Sequence, residues 1–483
     1  MAEILVLGAG LNGLSTAMLL ARDGHQVTVL ERDPAPPPGL AETGPEQAWE
    51  AWERRGVSQF RLPHVMLPRW RELMERELPE VLDEVMGAGG LRLNLLAMLP
   101  ESRRGPLRDE DERFVTVTAR RPVLEAAVAA AASRTPGVTV RRGVAVTGLL
   151  ADPPAHGRAT QGGAARVRGV LAAGGQALRA DLVVDCCGRR SPLGSWLAAI
   201  GAPRPAEERE DCGFVYYSRH FRTRTGSAHE LPRAETNMLQ HYDSVSVLTL
   251  PGDNGTWSVV LTTASRDRQL RALREPGRWD AALARYPLVA HWRDGEPITG
   301  VDVMAGLEDR HRRLVAGGVP VATGVVAVGD AWACTNPSLG RGASIGVLHA
   351  CALREVLRDV GPGDPDKLVR RFDEVTAAVA EPLYRATLWF DRSRLAEIAA
   401  DAAGTPDETG DPRWAAGKAL FAASLADQDL AREYLSVAML LTTADELFAQ
   451  PGMAERVMRL GAGAPRYPLP GPSRRELLAA VDD

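Results

Sequence analysis

The 483-residue sequence predicts an α/β fold in three parts: a parallel α/β domain, an antiparallel sheet inserted into it, and a C-terminal helical region. Three observations carry that prediction. Residues 2–33, "AEILVLGAGLNGLSTAMLLARDGHQVTVLERD", run as strand, glycine turn, helix and strand. Period-two apolar runs fill 213–265, and helical patterns dominate from Leu339 onward.

In the first segment a short apolar strand meets Gly8-x-Gly10-x-x-Gly13, with Asn12 inside the turn. An apolar helix then runs to about Arg22, and a second strand, Val27–Leu30, ends at Glu31. Gly8 permits the tight turn, Gly10 lets a pyrophosphate approach the backbone, and Gly13 lets helix and strand pack closely, while the helix N-terminus faces the phosphates. Glu31, about 20 residues past the turn, is the expected ribose ligand, with Arg32 beside it. This is the dinucleotide pattern of a Rossmann-type domain. Adenosine diphosphate is common to FAD and NAD, so the segment alone does not separate them.

Further along, "RFVTVTARRPVLEAAVAAAA" (113–132) places Arg120 and Arg121 before an Ala-rich helix whose first turn holds Pro122, a locally favourable position. "ADLVVDCCGRRS" (180–191) supplies a buried strand ending at Asp185. Strands then alternate at 213–224, 243–252 and 256–265, the last two joined by the turn "PGDNG" (251–255). In the first of them Phe214, Tyr216, Ser218 and His220 share one face, and Val215, Tyr217, Arg219 and Phe221 the other. The Tyr216 face is taken to look into the site. His241-Tyr242, Trp257 and Met304 are further pocket candidates, although core packing is the favoured reading for each such residue taken singly.

The stretch "VVAVGDAWACTNPSLGRGASIG" (325–346) brings a β-branched run to Gly329-Asp330. It reads as a buried parallel strand presenting a carboxylate at its C-terminal edge, where open α/β sheets bind ligands. Pro337, Gly340 and Gly342 let the backbone turn sharply and approach a ligand before a helix starts near Ala343. Helices are expected at 339–358 and 365–392, then a "GTPDETGDP" linker (404–412), then helices to about 461 and a Pro-rich tail that ends amphipathically. Two roles are open to that tail, a cap on the substrate cleft or a homodimer contact.

Composition excludes several function classes. A net charge of −5 and a pI near 6.1 leave no basic stripe for nucleic acid and no polybasic membrane patch. No apolar run approaches the roughly 20 residues of a membrane span, and the N-terminus lacks a charged leader, so a cytoplasmic protein is expected. The five cysteines have neither metal-ligand spacing nor disulfide-scaffold density, and no metal site is expected.

Three separated motifs resemble those of the group A flavoprotein monooxygenases, the family of para-hydroxybenzoate hydroxylase and squalene epoxidase. They are the glycine fingerprint, an Asp-x-x-Gly at Asp185 and Gly188, and a Gly-Asp followed by Pro and Gly-x-Gly at Gly329, Asp330, Pro337, Gly340 and Gly342. The resemblance covers about residues 1–350. It implies FAD, with Asp330 on the ribityl chain, Pro337 and the Gly340–Ala343 backbone along the flavin pyrimidine, and Arg121 or Arg120 reaching the pyrophosphate. N–H groups at a helix N-terminus suit the negative charge of a reduced flavin. The expected division is FAD-binding segments at 1–75, 111–195 and 301–360, substrate-domain segments at 76–110 and 196–300, and a helical region at 361–483.

The function so implied is an FAD-dependent monooxygenase. NADPH or NADH, bound transiently, reduces the flavin, O₂ adds at flavin C4a, and the hydroperoxide hydroxylates or epoxidises a small apolar or polycyclic substrate. The protein excludes water and presents the substrate closely, which requires no catalytic triad. Two departures bear on the substrate: Trp332-Ala333 stands where many family hydroxylases have Ala-His, and Arg341 where many have Gln. Trp332 is expected to wall the pocket, with packing between loop and sheet as the alternative. The "NPSLGRG" form is closer to squalene epoxidase, geranylgeranyl reductase and halogenase-like branches, so an ene-reductase is a rival reading. A tryptophan-type halogenase, which relies on a lysine, is disfavoured because no lysine precedes Lys367. A non-catalytic flavin-binding protein is the third alternative.

Overall fold

Short apolar runs bounded by glycine are suited to strands buried on both faces, and here they assemble into one parallel sheet. The computed structural model describes residues 1–152, 164–224, 231–405 and 410–482. Val325–Ala327, Leu182–Asp185, Glu3–Leu7, Gln26–Glu31 and Val138–Arg142 lie side by side in that order, each neighbouring pair parallel. Leu7 registers with both Leu30 and Asp185, and Asp185 with Ala327. Gly8, Glu31, Cys186 and Val328 therefore emerge at one rim.

Alternation splits these strands between two cores. Val6, Val29 and Val184 pack under helices Leu11–Arg22, Arg121–Arg134 and Gly342–Val360, against Leu14, Val123, Ala127 and Val347. Leu5, Leu7 and Val183 face the other way, toward Leu149, Val170, Trp196 and Tyr384. Helix Pro79–Gly87 buries Val81, Leu82 and Val85 in the first core. That part of the 76–110 segment thus packs with the parallel domain rather than with the inserted sheet.

The inserted sheet is antiparallel. Phe214–Arg222, Thr256–Ala264 and Val245–Pro251 form its centre, extended by Leu239–His241 on one side and by Glu296–Pro297 and Asp302–Met304 on the other. On its outer face Val215, Tyr217, Phe221, Val247 and Trp257 pack against Trp279, Tyr286 and Trp292, and against Leu477 and Val481 of the terminal helix Arg474–Asp482. Its inner face looks into a cavity.

Helices Glu381–Ala403, Pro412–Ser424 and Gln428–Ala438 contribute the opposite wall of that cavity. Of the linker expected at 404–412, residues 406–409 lie outside the described residues. The tail reaches the cavity at Tyr467 and Pro468 before its helix docks on the sheet. No helix among the described residues is long and apolar enough to cross a membrane.

Candidate functional site

One continuous cavity of about 1550 Å³ joins the rim of the parallel sheet, the inner face of the inserted sheet and the C-terminal helices. Sites for a single drug-sized ligand are roughly 300–1,000 Å³. The volume therefore takes a cofactor and a substrate together.

At the fingerprint end, Gly8 holds φ at 102°, and a Cβ on Gly13 would lie 2.0 Å from the Gly8 carbonyl oxygen. Gly10 opens on the cavity, its nearest neighbour being Arg54 Nη1 at 3.9 Å from a built Cβ. Glu31 accepts from the Ala9 N–H at 2.9 Å and pairs with Arg54, which also pairs with Glu125 and donates to the Ala9 carbonyl at 3.1 Å. Burial works against the Arg54 charge, but Glu125 and Glu31 outweigh it and hold its pKa above the ordinary value. Arg32 lies along Gly56 on the cavity wall.

Arg121 lines the cavity, held by Glu125 Oε1 at 2.7 Å and by His64 Nε2 at 3.1 Å. His64 Nδ1 is 2.8 Å from the Leu62 carbonyl, so Nδ1 carries the proton and Nε2 accepts. Burial, reinforced by Arg121, pushes His64 down to about 3 and keeps it neutral. Arg120 instead pairs with Asp253 at 2.7 Å and Glu46 at 2.6 Å, tying the parallel domain to the hairpin turn of the inserted sheet. Of the two arginines, only Arg121 lines the cavity. Asp185 does not: it accepts from the Cys187 N–H at 2.9 Å and from the Ser191 hydroxyl. The cofactor contact expected of Asp185 is corrected to a positioning role, because it shapes the turn that brings Gly188 to the cavity wall.

The Gly-Asp loop lies at the middle of the cavity. Asp330 lines it without a hydrogen-bond or ion-pair partner among the described residues, and burial raises its pKa. Pro337, Gly340, Gly342 and Ala343 line the same stretch, Gly340 in the left-handed region at φ 65°. Gly329 stands behind, where a Cβ would lie 2.5 Å from Asn12 Nδ2; on Gly346 it would lie 2.1 Å away. Asn12 thus joins the fingerprint helix to the Gly-Asp loop, its Oδ1 buried without a partner among the described residues. An unpartnered carboxylate, an orphaned amide oxygen and the free N–H groups of helix Gly342–Val360 fit a hydroxyl-bearing chain and an electron-rich ring, which is the chemistry of FAD.

Beyond the loop, Tyr216 and Met304, paired across adjacent strands, line the substrate side. The Tyr216 hydroxyl donates to Asn336 Oδ1 at 2.6 Å, the Asn336 N–H donates to Asp309 Oδ1 at 2.6 Å, and the Ser338 hydroxyl donates to Asp391 at 2.8 Å. Burial raises Asp309 to about 6 and Asp391 to about 8. Arg341 also lines the cavity and contacts Thr387 Oγ1 at 3.4 Å; burial lowers it to about 10.

Three pocket candidates are corrected. His220 packs against Trp49, ring centroids 4.8 Å apart, because helix Leu40–Glu50 covers that end of the sheet. Trp257 registers with Phe221 and so points to the outer face, donating its indole N–H to the Trp292 carbonyl at 2.7 Å. Trp332 is turned behind the loop by the Gly329–Ala331 helical turn and packs between His311, His349 and Tyr384, at 5.2, 4.7 and 6.3 Å. Its role is packing, not a pocket wall. Conversely, Trp389, Phe390, Trp414, Phe421 and Tyr434 line the far chamber, as does Lys418, so the lack of lysines before Lys367 does not keep a lysine out of the site.

The family model of the FAD binding domain matches residues 1–387. The chain belongs to that FAD-binding family. This flavoprotein is an oxidoreductase, and the three-motif resemblance to the group A monooxygenases stands. It is similar to Protein Rv3254 of Mycobacterium tuberculosis, 27% identical over 409 residues and covering 78% of each chain. A shorter likeness, 36% identity over 116 residues, covers 23% of this chain and 17% of aklavinone 12-hydroxylase RdmE of Streptomyces purpurascens. In fold it resembles P. aeruginosa PqsL, with TM-score 0.58 at 17% identity, covering 82% of this chain and 99% of that one. The flavoprotein's far chamber, built mainly by residues 389–468, lies beyond the matched segment.

Proposed function

We propose that this flavoprotein is an NAD(P)H-dependent monooxygenase that hydroxylates or epoxidises a small, largely apolar aromatic substrate. The observation that carries the reading is the single cavity in which the Asp330–Ala343 stretch opens directly onto an apolar, aromatic-walled chamber. Bound FAD would supply electron transfer from NAD(P)H and the activation of O₂. Asp330 would accept hydrogen bonds from the ribityl chain, Arg121 and the Gly10 backbone would hold the pyrophosphate, and Glu31 the ribose. Tyr216, through Asn336, holds the sheet against the loop, while Met304, Trp389 and Phe390 exclude water and orient the substrate. The partial likeness to a named hydroxylase supports the same class of reaction.

The reading is tested by incubating the holoprotein with a small-molecule extract, NADPH or NADH, and ¹⁸O₂, followed by mass spectrometry. A product carrying one ¹⁸O is expected. Turnover that proceeds equally without oxygen would replace it with ene reduction, and absence of any reductant-dependent oxygen uptake would remove it.

A further inference from the structure

His241, Glu397, Lys418, Arg466 and Tyr467 reach the cavity wall together and form one polar corner of the far chamber. Arg394 and Glu397, each 1% exposed, form its base and pair at 2.6 Å. Glu397 is shared, since its other oxygen pairs with Lys418. Arg466 pairs with Asp401, which also accepts the Tyr467 hydroxyl, and Lys418 Nζ stands 4.9 Å over the Tyr467 ring. Three cations thus meet two carboxylates. Among the described residues one positive charge is left uncompensated: the Arg394, Glu397 and Asp401 side chains are buried, while Lys418 and Arg466 keep 29% and 30% of their side chains exposed.

His241 adds a directed donor. Arg394 Nε donates to Ser246 Oγ at 3.3 Å, and Ser246 Oγ lies 2.8 Å from His241 Nδ1. An arginine can only donate, so the serine oxygen accepts from Nε and can turn its own proton to Nδ1; in that tautomer the imidazole proton sits on Nε2. The Phe390 ring, 5.5 Å away, fixes the imidazole plane. Burial beside Arg394 and Lys418 keeps the ring neutral.

An excess positive charge in a partly desolvated corner attracts an opposite charge. Resting on the proposed function, we infer that the corner of His241 and Lys418 binds an anionic oxygen substituent of the substrate, a carboxylate or an ionised phenol or enol. The aromatic body of the substrate then lies along Phe390, Trp389 and Trp414 toward the Gly-Asp loop. The anion completes the charge balance, and in the Nε2–H tautomer His241 offers it a hydrogen-bond donor.

Calorimetric titration of the purified protein, as isolated, with 2-naphthoate and its neutral isostere 2-naphthamide tests this. The carboxylate is expected to bind on the order of tenfold tighter or more, the scale of one charge-assisted hydrogen bond. Lys418→Met should bring the two affinities together while naphthamide binding stays unchanged, and Lys418→Arg should restore the preference. Equal affinities in the wild type, binding of neither probe, or a preference that survives Lys418→Met would overturn the assignment. Flavin content measured on the same samples separates this from failure of the monooxygenase reading: a colourless protein that still prefers naphthoate would contradict only the latter.

Discussion

The Tyr216 hydroxyl donates to Asn336 Oδ1 at 2.6 Å, and through that bond the inserted sheet meets the loop carrying Pro337 and Gly340. Asn336 is 2% exposed, so Tyr216→Phe strands a buried amide oxygen. The expected cost is about 1–3 kcal/mol of stability. Thermal unfolding should shift down, and the flavin absorbance should move while FAD stays bound. A variant with unaltered spectrum and melting temperature would show that sheet and loop are not coupled there.

Gly346 makes room for Asn12, because a Cβ at that position would lie 2.1 Å from Asn12 Nδ2. Gly346→Ala should therefore lower both stability and FAD affinity. In an Asn12→Ala background the same change should cost much less, giving a coupling energy of about 0.5–3 kcal/mol in a double-mutant cycle. Additive losses would place the Gly346 requirement elsewhere.

Arg54 sits between Glu31 and Glu125 with its side chain 5% exposed. Replacing it with Ala leaves two buried carboxylates without their shared cation, a loss of about 3–5 kcal/mol. Denaturant unfolding should show it, with partial recovery in Arg54→Lys. A loss under about 1 kcal/mol, the range of exposed pairs, would mean that the network is solvated.

Burial holds Asp391 at about 8, against an ordinary carboxyl value near 4. Between those values the folded protein keeps a proton that the unfolded chain has lost, so stability falls as pH rises through the window. The slope from this group is at most about 1.4 kcal/mol per pH unit. Asp309, raised to about 6, acts in the same direction over the lower part, and the Arg341 charge favours the ionised Asp391. Unfolding free energies at about pH 5.5 and pH 8 should differ in the wild type and differ less in Asp391→Asn. Equal slopes would assign the dependence to other groups.

The residues whose backbone geometry admits few alternatives were legible in the sequence. Gly8, Gly13, Pro337 and Gly340 announce turns and close approaches, and period two placed Tyr216 and Phe221 on opposite faces of one strand. The same logic fails where a side chain's direction depends on a turn. Trp257 falls on the outer face through the hairpin register, and Trp332 turns inward after one helical turn. Arg54 and His64 come from irregular segments with no period to read, and the aromatic chamber is assembled from helices whose apolar stripes look like ordinary core. His241 was visible as a polar residue next to a strand, but its partner Ser246 is shared with Arg394, which is 153 positions away.

Whether the Gly-Asp loop and the fingerprint hold FAD in one cavity with the substrate is decided by equilibrium titration of flavin-free protein with FAD. One FAD should bind per chain in the wild type, and Asp330→Ala should weaken binding by about tenfold or more, the loss of one charge-assisted hydrogen bond. Failure of the wild type to take up FAD, or an Asp330→Ala variant with unchanged affinity and flavin spectrum, would contradict that placement.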